Sequence, residues 1–145
     1  MRNTGYRFLD HTADVSVEAQ GKNLEEAFEQ TAYSLMETIT PSLRTISPEI
    51  ERTIIIEAED KEALLFDFLT EFLYLFDVEE LIFGKIKIHP IKHTQEKFYL
   101  EANLKGEKFN TNKHEPGTEV KAITYSYMKI EEKKNGVKIN IVFDI

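Results

Sequence analysis

The apolar residues of this chain recur at two periods, and each change of period marks a new element. From Asp14 to Gln20 they alternate. Val15, Val17 and Ala19 fall on one face and Asp14, Ser16 and Glu18 on the other, which predicts a half-buried strand. Tyr6 to Leu9 reads as a short strand before it. After Gly21-Lys22 the period lengthens. Leu24, Ala27, Phe28, Thr31, Leu35 and Ile39 sit at helical spacing, Asn23 is a good N-cap, and Glu26 completes a capping-box-like pair with it. The spacing predicts a helix over 24–39, stopped by Pro41, with Glu25, Glu29 and Glu37 facing away. Residues 41–50, with Pro41, Pro48 and several hydroxyl side chains, read as a loop. Arg52 to Ala58 is rich in β-branched residues and reads as a strand. Asp60 caps a second helix over 61–77. Its apolar stripe of Leu64, Leu65, Phe68, Leu69, Phe72, Leu75 and Phe76 is widened by Phe66 and Leu73, which puts this helix at the centre of the core.

Period two returns in the second half. Lys85 to Ile88 and Phe98 to Leu104 alternate and predict a hairpin with a longer loop at 90–96. Residues 106–118 read as a polar loop and 119–131 as a long strand. Asn135-Gly136 predicts a two-residue type I′ hairpin, after which Val137, Ile139, Ile141 and Phe143 alternate with Lys138, Asn140, Val142 and Asp144. With Asn135 and Gly136 as the loop, Tyr127 faces Asp144 on a shared side. Asp144 lies off the apolar face of its strand, as Asp14 lies off its own. The pattern permits a shared polar site without making the two strands neighbours. The expected architecture is α+β: one domain over 1–145, with mixed sheet of about six or seven strands and two packed helices.

Composition narrows the function. The 145 residues are 41% hydrophobic and 30% charged, which fits a folded soluble domain. The formal charge of −8 opposes broad nucleic-acid binding, because a phosphate backbone rewards dense Lys and Arg. The absence of Cys excludes disulfides, thiolate zinc sites and a Cys nucleophile, and suits a cytoplasmic protein. No apolar run reaches the roughly 18 residues of a membrane span, and Met1 to Gly5 is not followed by the apolar stretch of a signal peptide. There is no phosphate-cradling glycine loop, no Gly-x-Ser-x-Gly elbow and no His-Glu-x-x-His. His89 and His93 are separated by Pro90 and do not form a helical metal pair.

The chemistry concentrates at two places. Asp10, His11 and Asp14 put two carboxylates and an imidazole at the mouth of a strand, where they suit metal ligation, acid–base work or simple turn bonding. Asp144 and the carboxylate of Ile145 bring acidic groups to the other end of the sequence. Hard oxygens without thiolates suit calcium or magnesium better than zinc, and His11 admits a transition metal such as manganese. Asp14, His11 and Asp144 around a metal would also make a hydrolase site. The 108–118 loop, with His114, is long for a hairpin connection, and Lys121 after it could meet an anion. Direct RNA contact through Lys108, Lys113 and Lys121 runs against the net charge.

Several segments resemble one family. They are Asp10-His11-Thr12-Ala13-Asp14, Asn23 to Glu29, Tyr74 to Asp77, His114-Glu115-Pro116-Gly117-Thr118 continuing to Tyr125, and the ending Val142-Phe143-Asp144-Ile145. Spread in order from residue 6 to residue 145, they are similar to archease. The resemblance implies an accessory protein and not an enzyme: a cytoplasmic cofactor of the GTP-dependent RNA ligase that joins tRNA halves, promoting its guanylylation and multiple turnover. It implies a calcium site at Asp14, Asp144 and the carbonyl of Ile145, with magnesium or manganese as alternatives. Asp10 and His11 are then supporting residues beside Asp14, and His114 and Lys121 contacts of the site or its partner. A chaperone-like role toward tRNA-modifying methyltransferases is the alternative the family suggests.

Overall fold

A computed structural model describes residues 4–9 and 14–145. In order, its elements are β1 (Gly5–Leu9), β2 (Asp14–Gly21), α1 (Leu24–Ile39), a 3-10 turn (Leu43–Thr45), β3 (Ile50–Ala58), α2 (Lys61–Glu79), β4 (Leu81–Ile88), β5 (Lys92–Thr94), β6 (Lys97–Lys108), β7 (Ala122–Lys133) and β8 (Gly136–Asp144). The strands form two sheets, one ordered β1-β2-β8-β7 and the other β3-β6-β4, with β5 also on β6. Among the described residues there are thus eight strands and two α-helices in an α+β fold, and every pairing is antiparallel where mixed sheet was expected. None of the helices is long and apolar enough to cross a membrane.

Both helices start where the caps predict. The Asn23 side chain accepts from the Glu26 N–H at 2.9 Å, and Asp60 accepts from the Ala63 N–H at 2.7 Å. The return bond of the first cap goes one residue further back than a capping box requires: Glu26 accepts from the Lys22 N–H, and from the Thr4 hydroxyl. The second helix runs two residues beyond its expected end, to Glu79. It stops at Glu80, which takes φ +59 while its N–H bonds the Phe76 carbonyl.

Each helix touches both sheets. α1 packs on β1, β2 and β8 and on β4, while α2 packs on β7 and on β3, β4 and β6. The core lies where they meet. Phe28 of α1, Phe68 and Phe72 of α2 and Phe83 of β4 form a chain of ring contacts at 6.2, 5.1 and 6.0 Å, all fully buried.

The C-terminal hairpin departs from its expected register in two ways. Its loop is Lys134 and Asn135, with Lys133 paired to Gly136, so the glycine opens the ladder and does not sit in the turn. Gly136 takes φ +148, and a Cβ there would come 2.9 Å from the Gly21 carbonyl oxygen. Further on, Lys129 pairs with Asn140 but Thr124 with Val142, so residues 125–128 oppose the single residue Ile141. This enlarged bulge sets Ala122, not Tyr127, opposite Asp144.

Candidate functional site

β2 and β8 are neighbours, and their register sets Asp14 directly opposite Asp144. One step further in, Val15 faces Phe143, whose side chain is fully buried on the helix side. Successive strand residues point to opposite faces, so both aspartates lie on the outer face. Opposed residues in an antiparallel pair have Cα atoms about 4.5–5.5 Å apart. Asp14 is half-buried there and Asp144 exposed. Like charges directly opposite each other repel, and a cation between them removes that penalty.

β7 closes the other side. Ala122 pairs with Asp144, and the Lys121 N–H donates to the Asp144 carbonyl at 2.7 Å. Lys121 therefore joins the site through its backbone, with its side chain in solvent. Ile145 follows immediately and is 36% exposed. Asp10 and His11 lie outside the described residues. Among the described residues no three His, Asp or Glu side chains form a metal-ready group. The donors placed together are two carboxylates, with a backbone carbonyl next to them in sequence. Such a hard-oxygen set fits calcium or magnesium, with coordination positions left for water or a partner's oxygen.

His114 has a different position. It is 1% exposed and inside the loop that joins β6 to β7. The Asn110 N–H donates to its Nδ1 at 2.9 Å, so Nε2 carries the proton and donates to Glu107 at 2.7 Å. Glu107 also accepts from Lys113 at 2.8 Å and from the Ser47 N–H at 2.9 Å. Burial works to raise the Glu107 carboxyl, but these donors outweigh it and hold its pKa down at about 2.

The same loop then crosses the C-terminal end of α1. The Thr118 N–H bonds the Thr38 carbonyl at 2.7 Å, the Gly117 N–H bonds that of Ile39 at 2.9 Å, and the Thr40 hydroxyl donates to the Glu115 carbonyl. Carbonyls that a helix end leaves unpaired are thereby satisfied. A Cβ on Gly117 would stand 2.3 Å from the Thr38 oxygen, so the approach needs glycine. The His-Glu-Pro-Gly-Thr segment is thus an anchor that delivers Lys121 to Asp144.

Glu107 was missed in the sequence because it lies at the end of β6, in a stretch read as loop. Its only signal was Lys113-His114 a few residues on.

The sequence pattern of the archease protein family matches residues 6–145. The protein archease of Pyrococcus furiosus is 46% identical over 131 residues, covering 90% of this chain and 91% of its own. That of Methanosarcina mazei is 36% identical over 140 residues, covering 97% and 95%. The solution structure of protein 1598 from Methanobacterium thermoautotrophicum superposes with a TM-score of 0.82 at 31% identity, over 97% of this chain and 99% of that one. The crystal structure of an archease from Thermotoga maritima, described as a possible chaperone, gives a TM-score of 0.61 at 25% identity over 94% of each chain. With family-wide sequence similarity over nearly its whole length and the matching arrangement of two sheets and two helices, this chain belongs to the archease family.

Proposed function

We propose that this archease is a non-enzymatic cytoplasmic cofactor of the GTP-dependent RNA ligase of tRNA splicing, promoting its guanylylation and turnover. The working part is a calcium ion held by Asp14, Asp144 and the Ile145 carbonyl. The observation that carries the reading is the β2–β8 register, which puts the two aspartates face to face on the outer side of a sheet. Bound there, calcium would supply a positive charge with coordination positions open to an oxygen of the ligase. The chain itself fixes the carboxylates on paired strands and holds the last strand in place through the Lys121–Asp144 bond. A net charge of −8 favours approach to a basic RNA-binding enzyme.

The test is ligase turnover with excess RNA, in the presence of the wild-type protein, Asp14→Asn or Asp144→Asn. The wild type is expected to support many cycles and the variants about one. Equal stimulation by all three would reject the calcium-site version. Incubation of the protein alone with phosphoesters and divalent ions separates a cofactor from a hydrolase. Turnover without ligase would favour the hydrolase.

A further inference from the structure

β7 is an edge strand, and the bulge interrupts it where a free edge would otherwise run on. Tyr127, inside the bulge, takes φ +60, a left-handed conformation rarely adopted by a bulky aromatic residue. It is 79% exposed. The Ser126 N–H donates to the Thr124 hydroxyl at 2.7 Å, which fixes the entry to the bulge. Tyr125 is 53% exposed and lies flat on Phe66 of α2, with ring centroids 4.3 Å apart and planes within 3°. Asp67 follows Phe66 on α2 and is exposed. Burial first, and then the negative charges of Asp67 and Asp60, push the Tyr125 hydroxyl's pKa up.

A bulged edge cannot template another strand, so a partner here must bind through side chains. The groups on offer are exposed aromatic surface and the exposed carboxylate of Asp67, next to the Phe66 on which Tyr125 stacks. A guanidinium suits both: its plane stacks on an aromatic face while its N–H groups reach a carboxylate. Lysine offers only a point charge. Nucleic-acid bases could stack on the rings, but Asp60, Asp67 and the net charge of −8 oppose their phosphates. We propose that the Tyr125–Tyr127 bulge, with Phe66 and Asp67 of α2, docks an arginine-bearing segment of a partner protein.

The test uses neither calcium nor ligase, so its failure is distinct from failure of the cofactor reading. Fluorescein-labelled hexa-arginine and hexa-lysine peptides are titrated onto the full chain at about 0.15 M salt and followed by anisotropy. Arginine is expected to bind about threefold or more tightly than lysine. Tyr125→Ala, Tyr127→Gly and Asp67→Asn should each weaken arginine binding by about two- to fivefold. Glu96→Gln, in an exposed turn between β5 and β6, should leave it unchanged. Tyr127→Gly relieves the positive φ, so its thermal midpoint should hold or rise while affinity falls, a split that a purely structural role does not produce. Several results would overturn the proposal: no arginine binding, equal binding of lysine, an equal loss in Glu96→Gln, or unchanged affinity in both tyrosine variants, which would leave edge protection as the bulge's role. Tighter capture of a single-stranded RNA oligonucleotide by the wild type than by the tyrosine variants would also overturn it, in favour of a nucleic-acid surface.

Discussion

Single residues carry opposite kinds of charge chemistry at the β2–β8 pair and at the end of β6. At Asp14 and Asp144, two carboxylates face each other across a strand pair. At Glu107, one carboxylate is surrounded by three donors. Neutralising Asp144 should stabilise the metal-free protein by about 0.2–1 kcal/mol, because a like-charge cross-strand contact is relieved. Asp144→Asn is therefore expected to raise the midpoint of urea unfolding slightly in a chelator and to abolish the heat of calcium binding in calorimetry. Glu107→Gln should do the reverse and cost about 1–3 kcal/mol at neutral pH, since the buried His114 and the part-buried Ser47 N–H lose a charged acceptor. The folded pKa of about 2 lies below the ordinary 4.5. The stabilisation is therefore complete above pH 4.5 and is lost as the pH falls through about 2. Urea unfolding of the wild type and Glu107→Gln across that range should show a gap that closes toward pH 2. A gap independent of pH would mean that Glu107 acts by packing alone.

At the scale of elements, the anchor between α1 and the 109–121 loop makes the sharpest prediction. Gly117→Ala pushes a methyl group toward the Thr38 and Ile39 carbonyl oxygens. It should cost about 1–3 kcal/mol and speed hydrogen exchange at the Gly117 and Thr118 amides. Exchange at the Lys121 amide should rise with them, because the same loop leads into its bond with Asp144. Unchanged protection at Lys121 would uncouple the anchor from the site. The first helix was fully legible in the sequence: Asn23, the apolar spacing and Pro41 fix both its ends. Its polar face was not. Glu25 accepts from the Ile91 N–H, Glu29 from the Ile88 N–H, and Glu37 from the Tyr6 hydroxyl. A helical wheel places these residues in solvent because it contains no second element to meet them. β5 escaped notice because three exposed residues carry no period. The bulge at 125–128 was hidden too, since Ile123, Tyr125 and Tyr127 imitate regular alternation and no glycine marks the break. For the site, alternation placed Asp14 and Asp144 off the apolar faces of their strands. That the strands are neighbours is a long-range fact no local pattern holds, and only the family resemblance brought them together.

For the whole molecule, Asp14 and Asp144 come from opposite ends of the chain and meet only in the finished sheet, so calcium bound there must also stabilise the fold. Ligand binding restricted to the folded state adds about 2.7 kcal/mol at a hundredfold excess over Kd. For a domain of this size that is about 8 °C in thermal midpoint. The core supplies an independent lever. Phe68 is fully buried and packs on Phe28 and Phe72, which ties α1 to α2. Phe68→Ala should cost about 3–5 kcal/mol, a large part of the roughly 5–15 kcal/mol that holds such a domain together. Effects at separated sites add, so calcium should raise the midpoint of Phe68→Ala by about as much as it raises the wild type, each from its own starting value. Asp14→Asn should show no rise. Scanning calorimetry of the three proteins, in calcium and in chelator, decides the matter. A rise in the wild type but not in Phe68→Ala would mean that the core lesion distorts the β2–β8 register and that the site depends on packing as well as pairing. A rise retained in Asp14→Asn would put the cation somewhere else on the molecule.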